Sequence, residues 1–266
     1  MANRTAKANS AELRSLKAAR REDTLRAADA LFRTRRGAAE NSVAGVTSGY
    51  LYKLFSSRQF SHRIRLSLGS TERHGVEAGF IAFRQVNSQF TRLTMPEKGS
   101  PDGIIFDILG HEQALEKQFG VPFLQIAAFH THTERDTAIP SRGDLINVVI
   151  TRPVYSPGME NGIAAYPATI EIMCAPGRKG IEMIAVQKSP VFNGPSAVLM
   201  LGINQVDREL AFARSGNEAV EILEGYSYRA FSFKANRYGR IGKDDAERMA
   251  LMFAYSPAVV PSDADY

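Results

Sequence analysis

The stretch LQIAAFHTHTERDTAIPSRGDL, residues 124–145, joins an apolar run to closely spaced polar residues. The run is typical of a buried strand, and His130 and His132 follow it with one residue between them. Because side chains alternate across a strand, both imidazoles point to one side and can reach one ion at about 2.1 Å. Asp144 follows a short loop that can fold back, which supplies a third ligand and leaves a fourth position for water. The pattern predicts an open, catalytic metal site.

A metal site that activates water also needs a base and a group that stabilises negative charge. Glu77 is the candidate base, because it precedes the apolar stretch AGFIAF, which predicts a neighbouring strand. Glu72 is the reserve base if the strand register is shifted. The hydroxyl of Ser141 could donate a hydrogen bond to the oxyanion that develops when water attacks a carbonyl. Glu77 and Ser141 are therefore the predicted catalytic residues.

At these residues the sequence resembles the JAMM/MPN+ zinc metallopeptidases, whose pattern is an upstream Glu, then His-x-His, a spacer and Ser-x-x-Asp. The resemblance covers roughly residues 70–190 and extends to the JAMM-related domains of bacterial polymorphic toxins. It implies Zn²⁺ held by His130, His132 and Asp144, with Glu77 as general acid/base and Ser141 as oxyanion stabiliser. It also implies a peptide or protein substrate. The spacer between His132 and Ser141 holds eight residues where the family usually has seven.

The same residues also have purely structural interpretations. Ser141-Arg-Gly-Asp144 fits a capping box at the start of a helix, in which Ser and Asp satisfy backbone donors without a metal. Glu77 could be a charge at a strand edge. The histidines at 62, 74 and 111 lie in polar contexts and are predicted to be solvated, and Cys174 lies in an apolar run and is predicted to be a core residue.

The composition is that of a globular protein. The chain has 266 residues, 44% of them hydrophobic, which suffices for one large domain or two small ones. The single cysteine excludes an internal disulfide and a thiolate zinc cluster. The longest apolar run is too short to cross a bilayer and the N-terminus has no apolar signal core, so we expect no membrane partner and a cytoplasmic location.

The net charge of +5 is concentrated near the N-terminus. Residues 1–36 carry ten Lys/Arg and four Asp/Glu, a net charge of +6, which leaves −1 for the remainder. Their Ala, Leu and Arg content predicts a basic helical arm, and we place it with a linker in residues 1–45. Nucleic-acid binding through residues 1–36 is a less favoured prediction, since Phe32 is the only aromatic residue there.

Apolar patterning in residues 46–266 predicts mixed α/β structure. The resemblance to JAMM/MPN proteins implies a domain there with a mixed central β-sheet flanked by helices and with a C-terminal extension. Helices are expected at 111–119, 217–226 and 244–255. Strands are expected at 76–83, 123–129, 147–155, 168–175, 181–186 and 197–201.

Two functions compete for this pattern. The first is a zinc-dependent hydrolase that cleaves a peptide or isopeptide bond with metal-activated water. The alternative is a catalytically inactive JAMM-like scaffold that binds a partner or nucleic acid through the basic arm. Metal-dependent turnover discriminates between them. The sequence does not indicate the oligomeric state.

Overall fold

The computed structural model of the protein describes residues 46–85, 88–133, 138–149, 169–177, 180–188, 196–226 and 228–254. The predicted basic arm at residues 1–45 lies outside the described residues, as do residues 134–137 of the loop between His132 and Ser141.

The described residues form helices and strands in mixed order. The helices are α1 (Ser48–Phe55), α2 (Arg58–His74), α3 (Ile108–Phe119), α4 (Arg142–Val149), α5 (Ser196–Leu210), α6 (Gly216–Gly225) and α7 (Lys243–Phe253). The strands are β1 (Ala78–Gln85), β2 (Thr91–Leu93), β3 (Glu97–Lys98), β4 (Phe123–Thr131), β5 (Ile170–Gly177), β6 (Gly180–Lys188) and β7 (Tyr228–Ala235). None of the described helices is long and apolar enough to span a membrane.

One mixed sheet organises the fold, as predicted. Its strand order is β2-β1-β4-β5-β6-β7, and β3 pairs with β1 beside β2. Strands β4 and β5 pair in parallel, whereas the other described pairings are antiparallel. The polypeptide between β4 and β5 contains α4, as expected where parallel strands need a crossover connection. The carboxyl end of β4 therefore lies beside a helix start.

Helices cover both faces of the sheet because successive strand residues point to opposite sides. On one face, α1, α2 and α7 bury side chains against a cluster that includes Phe80, Phe129 and Cys174. On the other face, α4, α5 and α6 pack against residues such as Met173 and Ile184, and α3 packs near β1 and β4. Cys174 is fully buried, as predicted.

Two predicted strands are corrected by the structure. Residues 147–149, the start of the strand expected at 147–155, form the end of α4, and residues 150–155 lie outside the described part. The run at 197–201 belongs to α5, whose buried Ile203, Val206 and Leu210 follow at helical spacing. A short apolar run does not by itself distinguish a strand from a buried helix. Residues 147–149 and 197–201 are both helical in the structure. Strand β7 and helices α1 and α2 were not predicted.

We expect Phe80→Ala to lower the free energy of unfolding by about 3–5 kcal/mol, because it removes a fully buried ring. That ring stacks on Phe129 at 5.0 Å between centroids and meets Phe60 edge-on at 5.3 Å. Urea denaturation measures the change. The control is Phe212→Ala, whose ring is 82% exposed and whose loss should change stability by less than about 0.5 kcal/mol. Equal effects of the two substitutions would contradict this description of the core.

Candidate metal centre

The three residues predicted as metal ligands lie together at the carboxyl end of β4. His130 is the penultimate residue of β4, and His132 follows the strand, with its backbone N–H donating to the carbonyl of Cys174 on β5 at 2.8 Å. Asp144 lies in the first turn of α4. The crossover from β4 through α4 thus brings a carboxylate against two imidazoles that the strand itself places side by side.

The donor atoms of this cluster are in contact distance of one another. Nε2 of His130 lies 3.1 Å from Nε2 of His132 and 3.1 Å from Oδ1 of Asp144. Nε2 of His132 lies 3.5 Å from Oδ2 of Asp144. His130 is buried, whereas the side chains of His132 and Asp144 keep 12% and 11% of their surface exposed. The group could hold a metal ion that remains accessible from the His132 side.

Asp144 also has the structural role that the capping-box interpretation predicts. The backbone N–H of Ser141 donates to Oδ2 of Asp144 at 2.6 Å, and the backbone N–H of Asp144 donates to the Ser141 hydroxyl at 3.3 Å. These are the two reciprocal bonds of a capping box. The cap does not displace Asp144 from the cluster, because its Oδ1 faces His130 while Oδ2 accepts from Ser141. The capping-box interpretation is therefore confirmed, and the cap leaves Asp144 beside the two histidines.

Glu77 lies on the same face of the sheet as His130. Gly79, two residues further on, pairs directly with His130 between β1 and β4, and residues two apart share a face. A Cβ on Gly79 would lie 2.9 Å from the Cβ of His130 and 2.7 Å from the ring of Phe106. Glycine at 79 thus leaves the space that the His130 side chain occupies. Glu77 is buried on this face of the sheet.

The reserve base and the remaining histidines lie elsewhere. Glu72 is exposed on α2. His62 contacts Arg65, His74 contacts Lys98, and His111 contacts Glu97 at 2.7 Å. Of the two candidate bases, Glu77 is the one that the structure couples electrostatically to His130 and His132.

Glu171 is a member of the site that the sequence did not reveal. This β5 residue is only 4% exposed, and its Oε1 lies 3.3 Å from Nδ1 of His130. The contact has the distance of an ion pair but not the alignment of a hydrogen bond. His130 therefore has a carboxylate beside each of its ring nitrogens. A charged residue inside the apolar run ATIEIMCA was the available signal, because a buried carboxylate requires a partner.

Burial and the neighbouring charges shift the pKa values of the cluster residues. Burial lowers the pKa of His130, but the charges of Asp144 and Glu171 outweigh it and raise the pKa to about 10. Burial raises the pKa of Asp144, but His130 and His132 outweigh it and hold that pKa well below its usual range. Burial also raises the pKa of Glu77 and of Glu171, and the neighbouring histidines offset only part of that effect. Glu77 is thus a buried carboxyl group whose pKa lies above its ordinary value.

Models of known protein families do not match this chain, and curated proteins give no match either. The fold and the cluster are therefore interpreted from their own geometry.

We expect the purified protein to bind about one divalent metal ion per chain, and His130→Ala/His132→Ala to lose it, because two of three protein ligands are removed. Elemental analysis after dialysis against zinc measures the content. His74→Ala is the matched control, since that histidine is exposed and lies outside the cluster. Equal metal content in the wild type and the double variant would refute the site.

We expect Glu171→Gln to weaken metal affinity by about 10- to 100-fold, because the carboxylate that orients His130 becomes a neutral amide. Competition with a chromophoric chelator measures the affinity, and circular dichroism checks the fold. Glu182→Gln is the control on the adjacent strand, since its carboxylate pairs with Lys234 at the surface. An affinity unchanged by Glu171→Gln would show that Glu171 does not support the ligand.

Proposed function

We propose that the protein is a zinc-dependent hydrolase that cleaves a peptide or isopeptide bond. The spacing of the donor atoms carries the proposal. Ligands about 2.05 Å from a tetrahedral zinc ion lie about 3.3 Å from one another, and the three contacts between His130, His132 and Asp144 measure 3.1–3.5 Å. Two imidazoles and one carboxylate are also ligands that zinc accepts. Three protein ligands leave the open position that a catalytic site requires.

The chain's own residues supply the remaining chemistry. A bound Zn²⁺ would act as a Lewis acid and lower the pKa of a coordinated water to about 7. Glu77 takes the proton from the attacking water and returns it to the leaving amine, a role that suits a carboxyl group whose pKa burial has raised. Glu171 and Asp144 hold the His130 ring between them and fix its orientation.

Ser141 is proposed as the donor to the developing oxyanion. Its oxygen accepts from the N–H of Asp144, and the hydroxyl proton is still free to be donated because accepting a bond leaves the donor unused. Ser141 is exposed beside a partly exposed carboxylate, so a substrate carbonyl can approach it. The cap holds Ser141 and Asp144 in fixed relation.

The kind of bond that is cleaved rests on the resemblance to JAMM/MPN+ metallopeptidases. The pattern of Glu77, His130-x-His132 and Ser141-x-x-Asp144 supports it, since these five residues match the residue types and order of the family's motif. A mixed α/β sheet with the histidines at the end of a central strand agrees with that proposal.

We expect Glu77→Gln to retain the metal and to lower kcat by about 10²–10⁴-fold, because the amide keeps the size of the side chain and removes the base. Turnover of a panel of peptide and isopeptide-linked substrates by the zinc-loaded protein measures kcat. Glu72→Gln, the exposed carboxylate on α2, is the control and should leave kcat unchanged.

One outcome would overturn this proposal, and another would correct only the identity of its base. A zinc-loaded wild type that turns over none of the panel would favour the inactive scaffold. Turnover that survives Glu77→Gln but requires the metal would retain the hydrolase and remove Glu77 as the base.

A further inference from the structure

A cleft of about 350 Å³ lies between the amino-terminal half of α2 and the turn that follows β7. Its lining includes four basic side chains and one tyrosine: Arg58, His62, Arg65, Tyr238 and Arg240. None of these residues belongs to the metal cluster. A volume of this size falls within the range of small-molecule sites in proteins.

The helical wall of the cleft is a basic row. Arg58, His62 and Arg65 are spaced by four and then three residues, so they lie along one face of α2. The Arg65 guanidinium contacts Nδ1 of His62 at 3.0 Å, which holds the two side chains together. The helix presents these groups to the cleft as one surface.

A tight turn forms the opposite wall and is pressed against α2. The Asn236 side chain accepts hydrogen bonds from the N–H groups of Tyr238 and Arg240, at 2.9 and 3.1 Å. Gly239 has a positive φ of 74°, and a Cβ there would lie 2.6 Å from the carbonyl oxygen of Ser61. Glycine therefore permits a close approach that a side chain would prevent. The cleft is preformed.

The positive charge of the cleft is not neutralised by the described protein. In the part of the chain that the structure describes, the guanidinium groups of Arg58, Arg65 and Arg240 form no ion pair with a carboxylate. The first turn of α2 contains no acidic residue, although the positive end of the helix dipole favours one. Within the described residues, three guanidinium groups and the positive end of a helix thus face a space in which no carboxylate pairs with them.

We propose that this cleft binds a phosphate-bearing small molecule about the size of a nucleotide. Guanidinium groups pair with phosphate oxygens through two parallel hydrogen bonds, and a phosphate carries more charge to match three of them than a carboxylate does. Tyr238 is 56% exposed, and the face of its ring that Arg237 does not cover offers a surface on which a base can stack. The Arg237 guanidinium lies 4.8 Å from the centroid of that ring.

The proposed cleft is independent of the metal centre. The helix that forms its wall, α2, packs on the face of the sheet that carries Phe80 and Phe129. His130 and α4 lie on the opposite face. The proposal of a phosphate site is therefore tested independently of the hydrolase proposal.

Isothermal titration calorimetry with the full chain at low salt tests the proposal, using pyrophosphate and adenosine diphosphate as probes. We expect both probes to bind. Arg58→Gln and Arg240→Gln, on opposite walls, should each weaken binding by about tenfold or more, because each removes a charge-assisted contact. Both side chains are exposed, so neither substitution should affect folding. Tyr238→Ala should weaken the binding of adenosine diphosphate but not that of pyrophosphate.

Two control variants separate the cleft from other sources of anion binding. Arg208→Gln removes one exposed charge from α5, outside the cleft, and should change affinity by less than about twofold. His130→Ala/His132→Ala should bind both probes as the wild type does, which excludes a bound metal as the phosphate site.

Several outcomes would overturn the proposal. Absence of probe binding by the wild type would do so. If Arg208→Gln weakened binding as much as the cleft variants do, the probes would be bound by non-specific attraction to positive charge and the proposal would also fail. Loss of binding in a double histidine variant whose circular dichroism matches that of the wild type would assign the phosphate to the metal centre. Binding of a single-stranded oligonucleotide with no binding of either small probe would replace the small molecule by a nucleic acid.

Discussion

The imidazole of His130 is enclosed by protein and flanked by carboxylates on both sides, Asp144 at Nε2 and Glu171 at Nδ1. A buried polar ring of this kind is stable only when its nitrogens have partners. The partners come from two further elements, α4 and β5, and the parallel pairing of β4 with β5 brings both of them to His130. The geometry of the candidate metal centre therefore depends on one packed ring and on the crossover that surrounds it.

The same carboxylate that faces the histidines also starts a helix. Asp144 accepts from the N–H of Ser141 in the capping box of α4 while its other oxygen faces His130. A negative charge in the first turn is favoured by the helix dipole, so local helix stability and the site require the same ionised group. The cap of α4 and the contact with His130 consequently use the two oxygens of one carboxylate.

Local patterns predicted much of the fold, and they failed where contacts between distant residues decide. The strand at 123–129, the strands that became β5 and β6, and the helices at 111–119, 217–226 and 244–255 were found because their apolar spacing matches one period over enough residues. The run at 197–201 was too short to reveal its period, and it proved helical through Ile203 and Val206, which lie beyond it. The packing of α5 in the folded protein, and not the intrinsic propensity of residues 197–201, therefore determined that this segment is helical.

The sequence by itself determined which residues could be neighbours over short distances. Alternation along a strand puts His130 and His132 on one side, and the spacing of Ser141 and Asp144 makes a capping box. Only the tertiary structure placed Glu171 behind the imidazole, because that contact joins strands about 40 residues apart along the chain. It also closed the basic cleft, since α2 and the turn after β7 meet only when the sheet has formed.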